Sequence, residues 1–199
     1  MSKKLFQDTK FLSEVKKFYA THKEFVLDIV LFGSVLKGKE NPGDVDILII
    51  YKNANEDAGY SLKKALKAKG YDADITEKSY MQLFDETFLA REAILVEGYS
   101  LIQNKYLSRG LGFTNIILFK YTLKGFSKTN SMRFYYSLYG REGSKGVLKK
   151  YDAKKFSDSI ILCPIENMQS MENFFEEWHI QYQEFPILLP QRISNLIQK

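Results

Sequence analysis

Between Phe25 and Tyr51 the chain carries two apolar, β-branched runs separated by a polar loop. The residues at the edges of that loop constrain the molecule more than any others. The first run, Phe25-Val-Leu-Asp-Ile-Val-Leu-Phe32, ends at Gly33-Ser34; the second, Val45 to Tyr51, opens on Asp44-Val45-Asp46. Both have the length and composition of buried strands, and Gly38, Pro42 and Gly43 punctuate the loop between them. Side chains alternate along a strand, so Asp44 and Asp46 share a face while Val45 points back into the core. Two carboxylates one strand repeat apart repel each other, and both stay ionised only with a cation between them. Oxygen-only ligands of this kind suit Mg²⁺, which binds through one or two carboxylates together with substrate phosphates. Gly33 lets backbone approach a ligand closely, and Ser34 adds a hydroxyl and amide groups for phosphate oxygens.

The Gly-Ser pair, the nine residues between Ser34 and Asp44, and the Asp-x-Asp that follows resemble the nucleotidyltransferase superfamily of DNA polymerase β, in particular its minimal nucleotidyltransferase branch. That family carries a third acid on a later strand, between hydrophobic residues. Asp74, between Ala73 and Ile75, is the better match, with Asp72 on the same face in reserve. Where relatives often have Arg-Gly after Gly-Ser, this chain has Lys37-Gly38, which keeps the charge and loses the bidentate fork. Relatives often place Ser before the first Asp; here it is Gly43. The resemblance covers roughly residues 10 to 105. It implies that Asp44 and Asp46 hold two Mg²⁺ ions (Mn²⁺ being an alternative) and that Asp74 shares one of them and takes the acceptor's proton. Gly33, Ser34 and Lys37 would contact the NTP phosphates. The reaction implied is transfer of NMP from an NTP, ATP among them, to a hydroxyl, releasing pyrophosphate.

A chain of 199 residues allows one or two domains, and 45% hydrophobic with 15% aromatic content indicates a folded protein. No apolar run approaches the ~20 residues of a membrane span. Met1-Ser-Lys-Lys-Leu5 lacks the apolar core of a signal peptide, and Cys163, the sole cysteine, reads as a buried strand thiol. A cytoplasmic setting is the expectation. The net charge of +5 is unevenly spread: Lys120 to Lys155 holds ten basic residues against two acidic ones, an excess of +8, leaving −3 on the rest. Such asymmetry bears on partners rather than on fold.

In chain order, residues 8 to 22 read as an amphipathic helix with Phe11, Val15 and Phe18 inward and Asp8 or Thr9 as cap. After the strand pair, a helix from Tyr60 to Lys69 with Leu62, Ala65 and Leu66 inward ends at Gly70, and a strand carries Asp74. A further helix is expected from Ser79 to Arg91, with Leu83, Phe84, Thr87 and Phe88 inward. Ser108-Arg-Gly110-Leu-Gly112 is the boundary signal, giving a catalytic domain over 1–109 and a basic domain over 113–199. The second domain reads as strand 115–123, helix 131–139, short helix 147–151, strand 159–164, helix 168–178 and strand 181–189. The fold class is therefore α+β: a polymerase β-like domain with a mixed sheet and flanking helices, followed by a small β-α-α-β-α-β domain. Met132, Tyr135, Tyr136 and Tyr139 lie on one helical face, which allows base stacking but suits core packing at least as well. The loop Gly140 to Gly146 lacks the phosphate-loop pattern and reads as a plain turn; His22 and His179 have no metal-ligand spacing.

Two function classes follow. In the first, the chain is a metal-dependent nucleotidyltransferase whose acceptor is a nucleic acid, RNA or DNA, gripped by Arg133, Arg141, Lys145, Lys149 and Lys150. In the second, it is an antitoxin-type minimal nucleotidyltransferase that binds or modifies a toxin-type partner protein, or an inactive nucleotide- or RNA-binding module. No membrane role is expected.

Overall fold

The computed structural model describes residues 5–36, 44–53, 57–141 and 143–193; Lys37, Gly38, Pro42, Gly43 and Glu142 lie outside the described residues. The chain divides into two compact units, Met1–Leu111 and Gly112–Lys199.

In the first unit, Asp8 caps helix α1 (Thr9–His22), its carboxylate accepting from the amides of Lys10 and Phe11 at 2.9 and 3.3 Å. Tyr71 Oη donates to the other oxygen of Asp8 at 2.8 Å. Strand β1 (Val26–Phe32) runs into a 3-10 turn over Gly33–Val35, and β2 (Val45–Tyr51) returns antiparallel to it. Helix α2 (Gly59–Lys67) then crosses over to β3 (Ala73–Ser79), which lies parallel to β2. Helix α3 (Arg91–Glu97), strands β4 (Tyr99–Ser100) and β5 (Lys105–Tyr106) and the single turn α4 (Leu107–Gly110) complete the unit. The sheet order is β3-β2-β1-β4-β5, mixed as expected.

Its two faces do different jobs. Ile29, Leu31, Ile47 and Ile49 are fully buried, as are Phe11 and Val15 of α1 and Leu62 and Leu66 of α2. A β-carbon on Gly59 of α2 would touch Ile75 Cγ2 at 3.0 Å, which places α2 against the Ile75 face of β3. Each such side chain contributes about 1.5–3 kcal/mol of burial, so this face anchors the sheet. The other face carries Asp46, Leu48 and Ile50 beside Phe32, Val30 and Asp28 in register. Val30, Leu48, Ile50 and Ile94 form a core there, with Leu83 and Phe88 packed against it.

The α-helix expected over 79–91 does not form before Arg91. Ser79 N donates to Gln82 Oε1 at 2.8 Å and Asp85 Oδ1 accepts from Thr87 N and Oγ1 at 2.8 and 2.7 Å, so side chains capture the backbone that a helix would use. A 3-10 turn over Met81–Phe84 results, and the helix starts only at Arg91. Leu83 and Phe88 still reach the core, whereas Phe84 is exposed.

The second unit is an α+β module built on β6 (Phe113–Thr122), α5 (Lys128–Tyr139), α6 (Val147–Lys150), β7 (Lys154–Ser157), β8 (Ile160–Pro164), α7 (Met168–Glu177) and β9 (Gln181–Pro190). Its sheet, β7-β8-β6-β9, is antiparallel throughout. It has one strand more than the β-α-α-β-α-β order: β7 is four residues long, begins on two lysines and sits at the sheet's edge, so it shows no apolar alternation. Aromatic rings fill the core. Phe134 of α5 meets Tyr121, Phe174 and Trp178 at centroid distances of 5.6, 5.6 and 5.7 Å. Cys163 is fully buried on β8, and burial pushes its thiol up to about 12.

On α5 the buried residues are Phe134 and Leu138, while Met132, Tyr136 and Tyr139 are 54%, 40% and 41% exposed. Met132 and Tyr136 therefore point outward, while Tyr135 is half-buried beside Phe134 and Tyr139 sets its hydroxyl against buried Tyr121. In the loop beyond, a β-carbon on Gly140 would lie 3.4 Å from Gly146 Cα and collide with Ser144 O. The glycines serve backbone-to-backbone closure between α5 and α6, in keeping with a turn.

Candidate active site

The carboxylates gather where β2 and β3 begin. Asp46 and Asp74 are Cα partners across the parallel pair, so their side chains leave the sheet on the same face. Asp44 stands exposed at the loop's end, two residues before Asp46, and Val45 between them is buried. Burial raises the pKa of Asp46 above its ordinary value, and the charges of Asp44 and Asp74 raise it further. Asp72 is placed differently: it precedes β3, is exposed, and its carbonyl accepts from Val45 N at 2.9 Å.

Gly33 is the counterpart across β1. It has φ +78°, a left-handed conformation that favours glycine, and begins the turn that carries half-buried Ser34. A β-carbon here would lie 3.0 Å from Asp46 Cγ and within the van der Waals envelope of Oδ2. Glycine at 33 is thus what lets the Asp46 carboxylate lie against the turn. Lys37, the remaining phosphate candidate, is outside the described residues.

The donor set suits a hard divalent cation: the groups are oxygen-only, and their mutual repulsion is what a cation would relieve. Among the described residues, no three His, Cys, Asp or Glu side chains are gathered closely enough to hold a metal ion as they stand.

At the other end of the same sheet face lies a polar group that the sequence reading passed over. Asp28 is buried on β1, where Oδ1 accepts from Ser100 Oγ at 2.7 Å and from Ile29 N at 2.8 Å. A bulge between Val26 and Asp28 turns both Leu27 and Asp28 toward a cavity of about 740 Å³ that Ile50, Tyr80, Leu83 and Ile94 also line. The signal was an acid inside an otherwise apolar strand. Its visible work is to tie down the β4–β5 turn, since Ser100 Oγ also accepts from Gln103 N at 2.9 Å.

Of the candidate nucleic-acid contacts, Arg133 is exposed on α5, Arg141 and Lys145 in the loop after it, and Lys149 and Lys150 on α6. Arg141 lies over the Tyr136 ring, 4.2 Å from its centroid, and Lys150 over that of Tyr151 at 5.0 Å. Among the described residues no helix is long and apolar enough to cross a membrane.

No curated protein and no solved structure matches the chain. Residues 9–120, more than half of it, match the family described as "Nucleotidyltransferase domain", a span that takes in Gly33, Ser34 and all three carboxylates. The chain belongs to this family, within the polymerase β-like superfamily, and transfer of a nucleoside monophosphate is the chemistry that membership supports.

Proposed function

We propose that the first unit transfers NMP from an NTP to a hydroxyl on a nucleic acid and releases pyrophosphate. The observation that carries this reading is the in-register pairing of Asp46 and Asp74, with Asp44 two residues earlier and Gly33 packed against Asp46. In the step proposed, the acceptor oxygen bonds to the α-phosphorus and the bond from that phosphorus to the bridging oxygen of the β-phosphate breaks. The pyrophosphate leaves with that electron pair. Asp74 takes the acceptor's proton, and the backbone at Gly33 and Ser34 with the Ser34 hydroxyl holds the β- and γ-phosphates. Mg²⁺, or Mn²⁺ in its place, held by Asp44, Asp46 and Asp74, would lower the acceptor's pKa and stabilise the leaving oxygen.

The acceptor class rests on charge and exposure. The +8 window of Lys120 to Lys155 lies in the second unit, and Arg133, Arg141, Lys145, Lys149 and Lys150 are all exposed there. A partner protein is the second reading, favoured by the apolar surface at Tyr80, Met81, Phe84 and Leu89, which are 50%, 73%, 66% and 87% exposed. Cell extract given the protein, Mg²⁺ and each α-labelled NTP separates the two by which macromolecule becomes labelled. Label on RNA or DNA, lost with Asp46→Asn and Asp74→Asn, is the expected result; label on protein alone moves the acceptor to the second reading. NTP affinity that is equal in Mg²⁺ and in EDTA would overturn the metal-dependent mechanism.

A further inference from the structure

We propose that the outer face of α5 is a stacking platform for single-stranded nucleic acid, with Tyr136 as the ring and Arg141 as the cation beside it. This deepens the acceptor reading above and rests on it for its purpose, although the binding itself is independent of catalysis.

Three observations converge on that face. The first is that Tyr136 is surplus to the fold, whereas Tyr139 sets its hydroxyl against that of buried Tyr121. Phe134 and Leu138 fill the core side of α5, and Tyr121, Phe174 and Trp178 complete that core around Phe134. An outward helix face is ordinarily polar, yet this one exposes Met132, Tyr136 and Tyr139.

The second is that the rings are held in place. Tyr139 stacks on Tyr135 with centroids 5.9 Å apart and planes 22° from parallel, and Lys155 Nζ lies 5.9 Å from the Tyr139 centroid. Arg141 sits 4.2 Å from the Tyr136 centroid, carried on the loop that Gly140 and Gly146 close. Rings fixed beforehand lose little freedom when a base stacks on them, and a guanidinium plane is itself a surface on which bases stack.

The third is charge. The α5 sequence, Lys128 to Tyr139, contains Lys128 and Arg133 and no acidic residue. Exposed aromatics set among cations are the combination that tracks a phosphate backbone while receiving bases. A duplex is a poor fit, because its base faces are already stacked on one another. An apolar peptide would leave the cations unanswered, and an acidic one would leave the rings unused.

The test is fluorescence anisotropy with the full-length chain in EDTA and without NTP, so that failure here is distinguishable from failure of the transferase reading. The probes are a labelled 12-nucleotide single strand, the same sequence as duplex, and a single strand of abasic sites. The intact single strand should bind more tightly than either control. Tyr136→Ala should weaken it about 5- to 150-fold, the equivalent of about 1–3 kcal/mol per stacked base, with the salt slope unchanged. Tyr136→Phe should stay within about threefold, since it keeps the π-face. Arg141→Ala should flatten the slope of log affinity against log salt by about 0.7, one phosphate on a single strand. Tyr136→Ala binding like wild type, or equal affinity for the abasic and intact strands, overturns the platform.

Discussion

Replacing Gly33 by alanine puts two separable demands on the molecule, and each can be read on its own instrument. At φ +78° an L-residue costs about 1–2 kcal/mol relative to glycine. The added carbon also meets the Asp46 carboxylate, with Cγ at 3.0 Å and Cβ at 3.3 Å. The obstacle is the end of a short side chain rather than backbone, so it yields by turning Asp46 away, and the fold survives. The expected loss of stability is therefore the backbone term, about 4–16 °C in Tm if the first unit unfolds as one step, plus the cost of turning Asp46 aside. Activity should suffer far more: displacing a reacting group by about 1 Å costs on the order of 100-fold. Thermal unfolding by circular dichroism and pyrophosphate release from NTP measure the two. An Asp46→Ala background isolates the collision, because it removes Cγ and both oxygens. There, Gly33→Ala should cost only the backbone term, leaving a coupling of about 0.5–3 kcal/mol between the sites. Retained transfer in Gly33→Ala, or an identical stability cost with and without the carboxylate, would refute the placement of Asp46 against the turn.

Asp46→Asn should raise Tm in EDTA at pH 7 by removing a charge that burial, Asp44 and Asp74 all disfavour. Because the folded pKa lies above its ordinary 3.8, the wild-type side chain's contribution is complete below that value and is lost as pH rises through the folded one. The variant's advantage should therefore vanish in acid, and an advantage constant from pH 3 to 8 would contradict the cause assigned. Glu77→Ala should cost about 1–2 kcal/mol in urea unfolding, because Glu77 Oε2 accepts from Ala58 N at 3.3 Å and Gly59 N at 3.1 Å at the start of α2; an unchanged midpoint would remove it from that role. Cys163, pushed up to about 12, should resist a disulfide reagent at pH 8 until the second unit unfolds, and labelling of the native chain within seconds would count against its burial.

The elements that the sequence made legible are those whose period is uninterrupted. Helix α1 announces itself through Phe11, Val15 and Phe18, and β1 and β2 through runs that are apolar because both faces of the sheet are covered. The misreadings have local causes. Leu83, Phe84, Thr87 and Phe88 imitate a helical stripe, but Asp85 and Gln82 bind the backbone nearby and leave a turn. On α5, the period locates two faces without saying which is covered. Three tyrosines outweigh Phe134 and Leu138 in apolar bulk, yet both of these are buried and Phe134 meets Phe174, Trp178 and Tyr121, whose positions only the tertiary fold supplies.

The carboxylates were legible for a different reason: a strand's two-residue period fixes the face of Asp44 and Asp46 whatever the topology. Asp74 is another matter, since its position depends on the register of a parallel pair, and a slip of one residue would turn it to the α2 face. That register is held at both ends. At the carboxylate end Val45 N donates to Asp72 O at 2.9 Å, and at the far end Tyr80 N donates to Tyr51 O at 2.8 Å. Beside that far end Tyr51 Oη donates to Glu77, whose carboxylate also receives the first amides of α2. Tyr51 and Glu77 face α2, opposite Asp46 and Asp74, so a polar cluster that touches no site residue clamps the two strands that carry the acids. The pairing of Asp46 with Asp74 thus follows from where β3 is gripped, and the burial of Ile47 and Ile49, with half-buried Ile75 on the same covered face, supplies the penalty against any other alignment.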